Sequence, residues 1–135
     1  MAQDGIASRG SNLTTRESRI TIHSFNPMKF HVALSVADIE ASVGEYSKRL
    51  KCAPQVVVRG EYALWRTETL NFSSRKTAES EAGKLRHVGW EDSDASAFEV
   101  QSDINGVLWE RFSADQQRDE ILSIWPTATD YLKNE

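Results

Sequence analysis

The sequence predicts an α+β fold, and three observations carry that prediction. Between Lys29 and Leu50 the apolar period changes from two to about 3.6, the mark of a strand running into a helix. Three short β-like runs follow that helix with turn residues between them. A second strand, a hairpin and a capped helix then close the chain. Strands and helices in this order belong to an α+β domain.

Residues 1–27 stand apart. The first 18 are rich in Ser, Thr, Gly and Arg, too polar to build a core, and are expected to be disordered. Arg19–Phe25, which contains His23, is a short β-like patch suited to an edge strand. Met28 sits immediately before the organised part, so residues 1–27 read as a leader or an upstream extension, and residues 28–135 as a single domain.

In Phe30–Val36, the residues Phe30, Val32, Leu34 and Val36 share one strand face, and His31, Ala33 and Ser35 the other. Asp38 is the expected N-cap of the next helix, because its carboxylate can accept a first-turn N–H. Ile39, Val43, Tyr46 and Leu50 then line one helical face, which should pack on the apolar face of the strand. That leaves the His31 face for function. Pro54 ends the helical period, and strands are expected over Gln55–Arg59, Glu61–Arg66 and Thr69–Ser74. Residues 28–75 thus form a complete β-α-β-β-β unit.

Lys76–Lys84 is polar and reads as a flexible linker. Leu85–Trp90 is a strand in which Leu85, His87 and Gly89 alternate with Arg86, Val88 and Trp90. Glu91–Ala95 is acidic and is expected to be a solvated turn. Phe98–Gln101 and Val107–Phe112 form a hairpin turned at Asn105-Gly106. Ser113 and Gln116 make a capping box for a helix over Ala114–Ile124, with a further turn or two expected in Thr127–Lys133 beyond Pro126.

Composition bounds the function. The net charge of −4 gives no basic stripe for nucleic acid. No apolar run approaches the roughly 18 residues of a membrane span, and the N-terminus has no apolar signal region. Cys52 is the single cysteine, which excludes an intrachain disulfide and fits a reducing compartment, so a cytoplasmic protein is expected.

The order of these pieces resembles the vicinal oxygen chelate superfamily, which includes glyoxalase I, extradiol dioxygenases and the bleomycin- and fosfomycin-resistance proteins. The matching segments are KFHVALSV-ADIEASVGEYSKRL, YALWRTETLNFSS, GKLRHVGWE and DINGVLWERF. The first half looks most like the cadmium/arsenic-induced branch. The resemblance covers Lys29–Ser74 and, in part, Gly83–Phe112.

It implies two β-α-β-β-β modules of the glyoxalase/dioxygenase type, curled into a cup around a metal. It carries the ligand roles onto His31, His87 and Glu110. Two imidazoles and one carboxylate suit Fe(II), or Mn, Ni or Zn, and leave positions open for substrate. Tyr62, Trp65, Asn71 and Trp90 are the candidate pocket residues, with Asn71 supporting the site rather than ligating. No general base is assigned.

Two departures follow. His87 lies 56 residues after His31, but Glu110 only 23 after His87. The second module, residues 85–112, therefore lacks its helix and at least one strand. The C-terminal segment 113–135, with Ile121, Leu122 and Trp125 on a stripe, is expected to dock where that helix would lie, and a second subunit to cover the rest, as a homodimer. Secondly, the arsenic-processing members use a cysteine pair, and Cys52 is alone, so carbon–arsenic cleavage is not expected.

The function these expectations give is a metal-dependent lyase or dioxygenase acting on a small molecule with adjacent oxygens. The alternatives are a metal-free dimer that sequesters a small ligand, or a degenerate member with a regulatory role.

Overall fold

The computed structural model describes residues 28–128. The leader, His23 and the Arg19–Phe25 patch lie outside the described residues, as does most of the expected extra turn after Pro126. The fold is α+β. Among the described residues, seven strands form one mixed sheet, β1 (Met28–Val36), β2 (Val56–Val58), β3 (Tyr62–Arg66), β4 (Leu70–Lys76), β5 (Leu85–Asp92), β6 (Glu99–Ser102) and β7 (Leu108–Phe112). Two helices, α1 (Ile39–Leu50) and α2 (Ala114–Ile124), pack against it. Among the described residues, no helix is long and apolar enough to cross a membrane.

The strand order is β2-β3-β4-β1-β5-β7-β6. β1 runs parallel to β4, because the α1 crossover returns the chain in the same direction. β5 runs parallel to β7. β1 and β5 meet antiparallel at the centre. Between β5 and β6 the chain crosses in residues 93–98, with no helix.

The helix ends form as their chemistry requires. The Asp38 side chain accepts from the Ala41 N–H at 2.9 Å. Lys51 closes α1 in the left-handed conformation at φ 61°. Ser113 and Gln116 form the reciprocal capping box of α2. The segment expected to be a flexible linker is instead pinned to the end of β1. Thr77 N–H donates to Val36 O, Gly83 N–H to Ser35 O and Ser35 N–H to Lys84 O. The acidic stretch also differs from expectation. β5 continues through Glu91 and Asp92, and both are buried in ion pairs, Glu91 with Arg66 and Asp92 with Arg111.

The two faces of the sheet are covered differently. On the outer face, Tyr46 of α1 packs edge-on against Trp65 and Phe72, and Ser47 Oγ accepts from the Trp65 indole N–H at 3.2 Å. α1 thus covers the expected face, but sits over β3 and β4. On the inner face, Val56, Tyr62 and Leu64 form the apolar cluster on which α2 lands with Ile121, and the segment after it with Ala128. This corrects the expected docking of the C-terminal helix. It takes the inner face of the first half, because the inner positions of β2 and β3 are apolar and otherwise open. The outer face of β1, β5 and β7, where the C-terminal helix was expected to dock, keeps Trp90 and Trp109 each 37% exposed.

Candidate metal centre

His31 lies on the inner face of β1 and is 2% exposed. Two registers place its neighbours. His31 pairs with Asn71 across β4 and with Gly89 across β5. Gly89 in turn pairs with Glu110 of β7. Gly89 therefore lies between His31 and Glu110, and having no side chain it leaves the space between them open. A Cβ there would overlap the Glu110 backbone. His87, two residues before Gly89, shares its face.

The three side chains converge. His31 Nε2 and His87 Nε2 are 3.0 Å apart. Glu110 Oε1 lies 3.1 Å from His87 Nε2 and 3.9 Å from His31 Nε2. Ligands about 2.1 Å from one ion and at right angles to each other are about 3.0 Å apart, and about 3.4 Å in a tetrahedral site. Two of the gaps match that spacing, and the third, at 3.9 Å, is wider. The group could therefore hold a metal ion.

The network behind His31 sets its tautomer. Nδ1 lies 2.8 Å from Asn71 Oδ1 and 3.1 Å from the Asn71 carbonyl oxygen. A carbonyl oxygen only accepts, so Nδ1 carries the proton and Nε2 presents its lone pair to Glu110 and His87. Burial pulls the His31 pKa below 6.5 against the opposing hydrogen bond to Asn71, which keeps the ring neutral and able to ligate.

Asn71 is itself fixed. Its Nδ2 donates to Glu91 Oε1 and to Gln117 Oε1, both at 2.8 Å. Arg66 grips Glu91 through two bonds of 2.6 and 2.9 Å, and Gln55 accepts a further bond from Arg66. Burial alone would raise the Glu91 carboxyl. The hydrogen bonds from Arg66 and Asn71, with the Arg66 charge, outweigh it and hold the pKa below 4.5.

The expected pocket residues divide by strand parity. Tyr62 lines the cleft beside the three side chains. Asn71 stands behind His31 rather than in the cleft. Trp65 is fully buried against Tyr46 and Phe72 on the α1 side. Trp90 lies on the outer face, edge-on to Phe30. Both tryptophans stand an odd number of residues from a cleft-facing neighbour on their own strand, Tyr62 and His87, so the two-residue period turns them away.

Sequence reasoning missed five contributors: Arg66, Glu91, Gln117, Arg75 and Arg86. Arg86 carries the least visible signal. The β1–β5 register slips between Ala33 and Leu34, leaving Arg86 opposite no residue. This bulge turns Arg86 to the same cleft as His87, against simple alternation.

No protein-family model matches the chain, and no curated protein matches it.

Proposed function

We propose that the chain is a metal-dependent protein of the vicinal oxygen chelate type, acting on a small molecule with adjacent oxygen donors. The observation that carries this is the convergence of His31, His87 and Glu110, from three separate strands, on one point of the inner face. The sheet supports it. In each half the first strand is parallel to the last, and the two first strands meet antiparallel in the middle. Two paired modules would have this order once the second had lost its helix and one strand.

In this proposal His31 and His87 hold the ion through Nε2, and Glu110 through Oε1. A bound divalent ion would supply Lewis acidity toward a coordinated oxygen. Asn71 fixes the orientation of His31, as partners behind a ligating imidazole commonly do. Ile121 of α2, and Trp125 just beyond its end, line the cleft.

One observation favours a second reading, a metal-free protein that holds a small ligand. His87 Nε2 lies 3.0 Å from His31 Nε2 and 3.1 Å from Glu110 Oε1, so its single N–H can donate to one of them and tie part of the cluster together without an ion.

Metal analysis of protein purified without chelator separates the two. Near-stoichiometric metal in the wild type, lost in the double variant His31→Ala/His87→Ala, is expected. Equal metal content in both would rule out the metal reading. The proposal also includes a homodimer in which a second copy covers the outer face.

A further inference from the structure

We propose that the cleft lined by α2 is an oxyanion site, in which Arg75 and Arg86 hold the anionic group of a small substrate. The second oxygen donor of that substrate would reach the centre formed by His31, His87 and Glu110. This second half, and the charge count that favours an anion, rest on the metal reading.

Two guanidiniums face one small cleft from neighbouring parts of the sheet. Arg75 stands on the inner face of β4, two residues beyond Ser73 and four beyond Asn71, with Cζ 5.1 Å from the centre of the Trp125 ring. Arg86 reaches the same cleft through the β5 bulge. Both are half-buried. Neither guanidinium makes a side-chain hydrogen bond or a salt bridge within 4 Å of a described residue, although Glu110 and Glu120 share the cleft.

Half-burying two like charges without a direct partner is unfavourable, and an oxyanion between them relieves it. The planar fork of each guanidinium suits carboxylate or phosphate oxygens. The charge count agrees. Glu110 and Glu120 in the same cleft formally balance the two arginines, so a divalent ion at the centre would leave an excess of positive charge for a ligand to neutralise. The cavity of about 70 Å³ limits the ligand to a few heavy atoms, far below the roughly 300 Å³ at which drug-sized pockets begin. The Ser73 and Tyr62 hydroxyls are further polar groups at the wall.

The test uses the full chain with two probes, inorganic phosphate and oxalate, whose relative affinity distinguishes a phosphoryl-type group from a carboxylate. Calorimetry measures each probe on metal-free and on Mn²⁺-loaded protein, with protein-free Mn²⁺ titrations subtracted. Free Mn²⁺, read by its paramagnetic resonance signal, reports metal affinity separately. Wild-type protein should bind at least one probe, and Arg75→Gln and Arg86→Gln should each weaken that binding about tenfold or more. Mn²⁺ affinity should stay within about threefold, because neither arginine is a ligand. Should a Gln variant fail to fold by circular dichroism, the matching Lys variant replaces it. It keeps the charge, loses the fork, and should still bind the probe more weakly than wild type.

Binding of neither probe to wild type, or equal binding to the variants, overturns the proposal. If wild type binds no Mn²⁺, the metal reading fails alone, and the metal-free titrations decide the oxyanion site by the same comparison.

Discussion

Asn71 connects a candidate ligand imidazole to a buried ion pair. It accepts from His31 Nδ1 and donates to Glu91, which Arg66 holds from the other side. Every bond in this chain has one direction, because carboxylates accept and guanidiniums donate. Replacing Asn71 by Ala frees the His31 ring and leaves Glu91 and Gln117 each short of a partner. Metal affinity should fall about 10- to 100-fold, and stability by about 2 kcal/mol. Competition with a chromophoric chelator measures the first and urea unfolding the second. Unchanged metal affinity would mean that Asn71 does not position His31.

Glu91 gives the pH dependence. Its carboxyl is held below 4.5 in the folded chain, so the unfolded chain takes up the proton first as pH falls. The stability it contributes is fully present above the unfolded value and is lost as pH drops through the folded one. Urea midpoints measured between about pH 6 and 3 should fall more steeply for wild type than for Glu91→Gln. Parallel curves would remove Glu91 as a source.

At the scale of the element, α2 decides the inner face. Ile121 is 3% exposed and packs with Val56, Tyr62 and Leu64, while Gln117 on the same helix bonds Asn71. One helix therefore both covers the core and completes the polar network behind the centre. Ile121→Ala should cost about 3 kcal/mol, because its neighbours on the sheet cannot collapse into the space it leaves. Chemical denaturation would show it, and a loss below about 0.5 kcal/mol would mean that α2 is not the principal cover. The sequence held a signal that both faces of β2 and β3 need cover, though not for which helix covers which. Val56–Val58 and Tyr62–Trp65 are apolar on both strand faces, a pattern of two-sided burial. One face needed α1 and the other needed a second helix.

At the scale of the whole molecule, no described helix covers the outer side of β1, β5 and β7. Phe30, Trp90 and Trp109 form an aromatic group on the outer side of β1, β5 and β7, with ring centroids 5.2 and 6.4 Å from Phe30. The proposed second copy would bury this group. Sedimentation at micromolar concentration should give a dimer, and Trp90→Glu with Trp109→Glu should shift it to monomer. A monomeric wild type would remove the dimer from the proposed function.

The sequence by itself determined the local elements and which residues share a strand face. The Asp38 cap, the capping box at Ser113, the helix Ala114–Ile124 and the inward His31 all follow from contacts within a few residues or from strand periodicity. The placement of Trp65 and Trp90 was also legible there, since their parity opposes that of Tyr62 and His87. The tertiary structure alone decided three things. It brought His31, His87 and Glu110 to within 3.9 Å of one another by strand pairing across 79 residues of chain. It turned Arg86 inward through a bulge that no alternation pattern encodes. It sent α2 to the inner face, because an amphipathic stripe specifies that a helix must bury one side, but not which of two apolar surfaces will receive it.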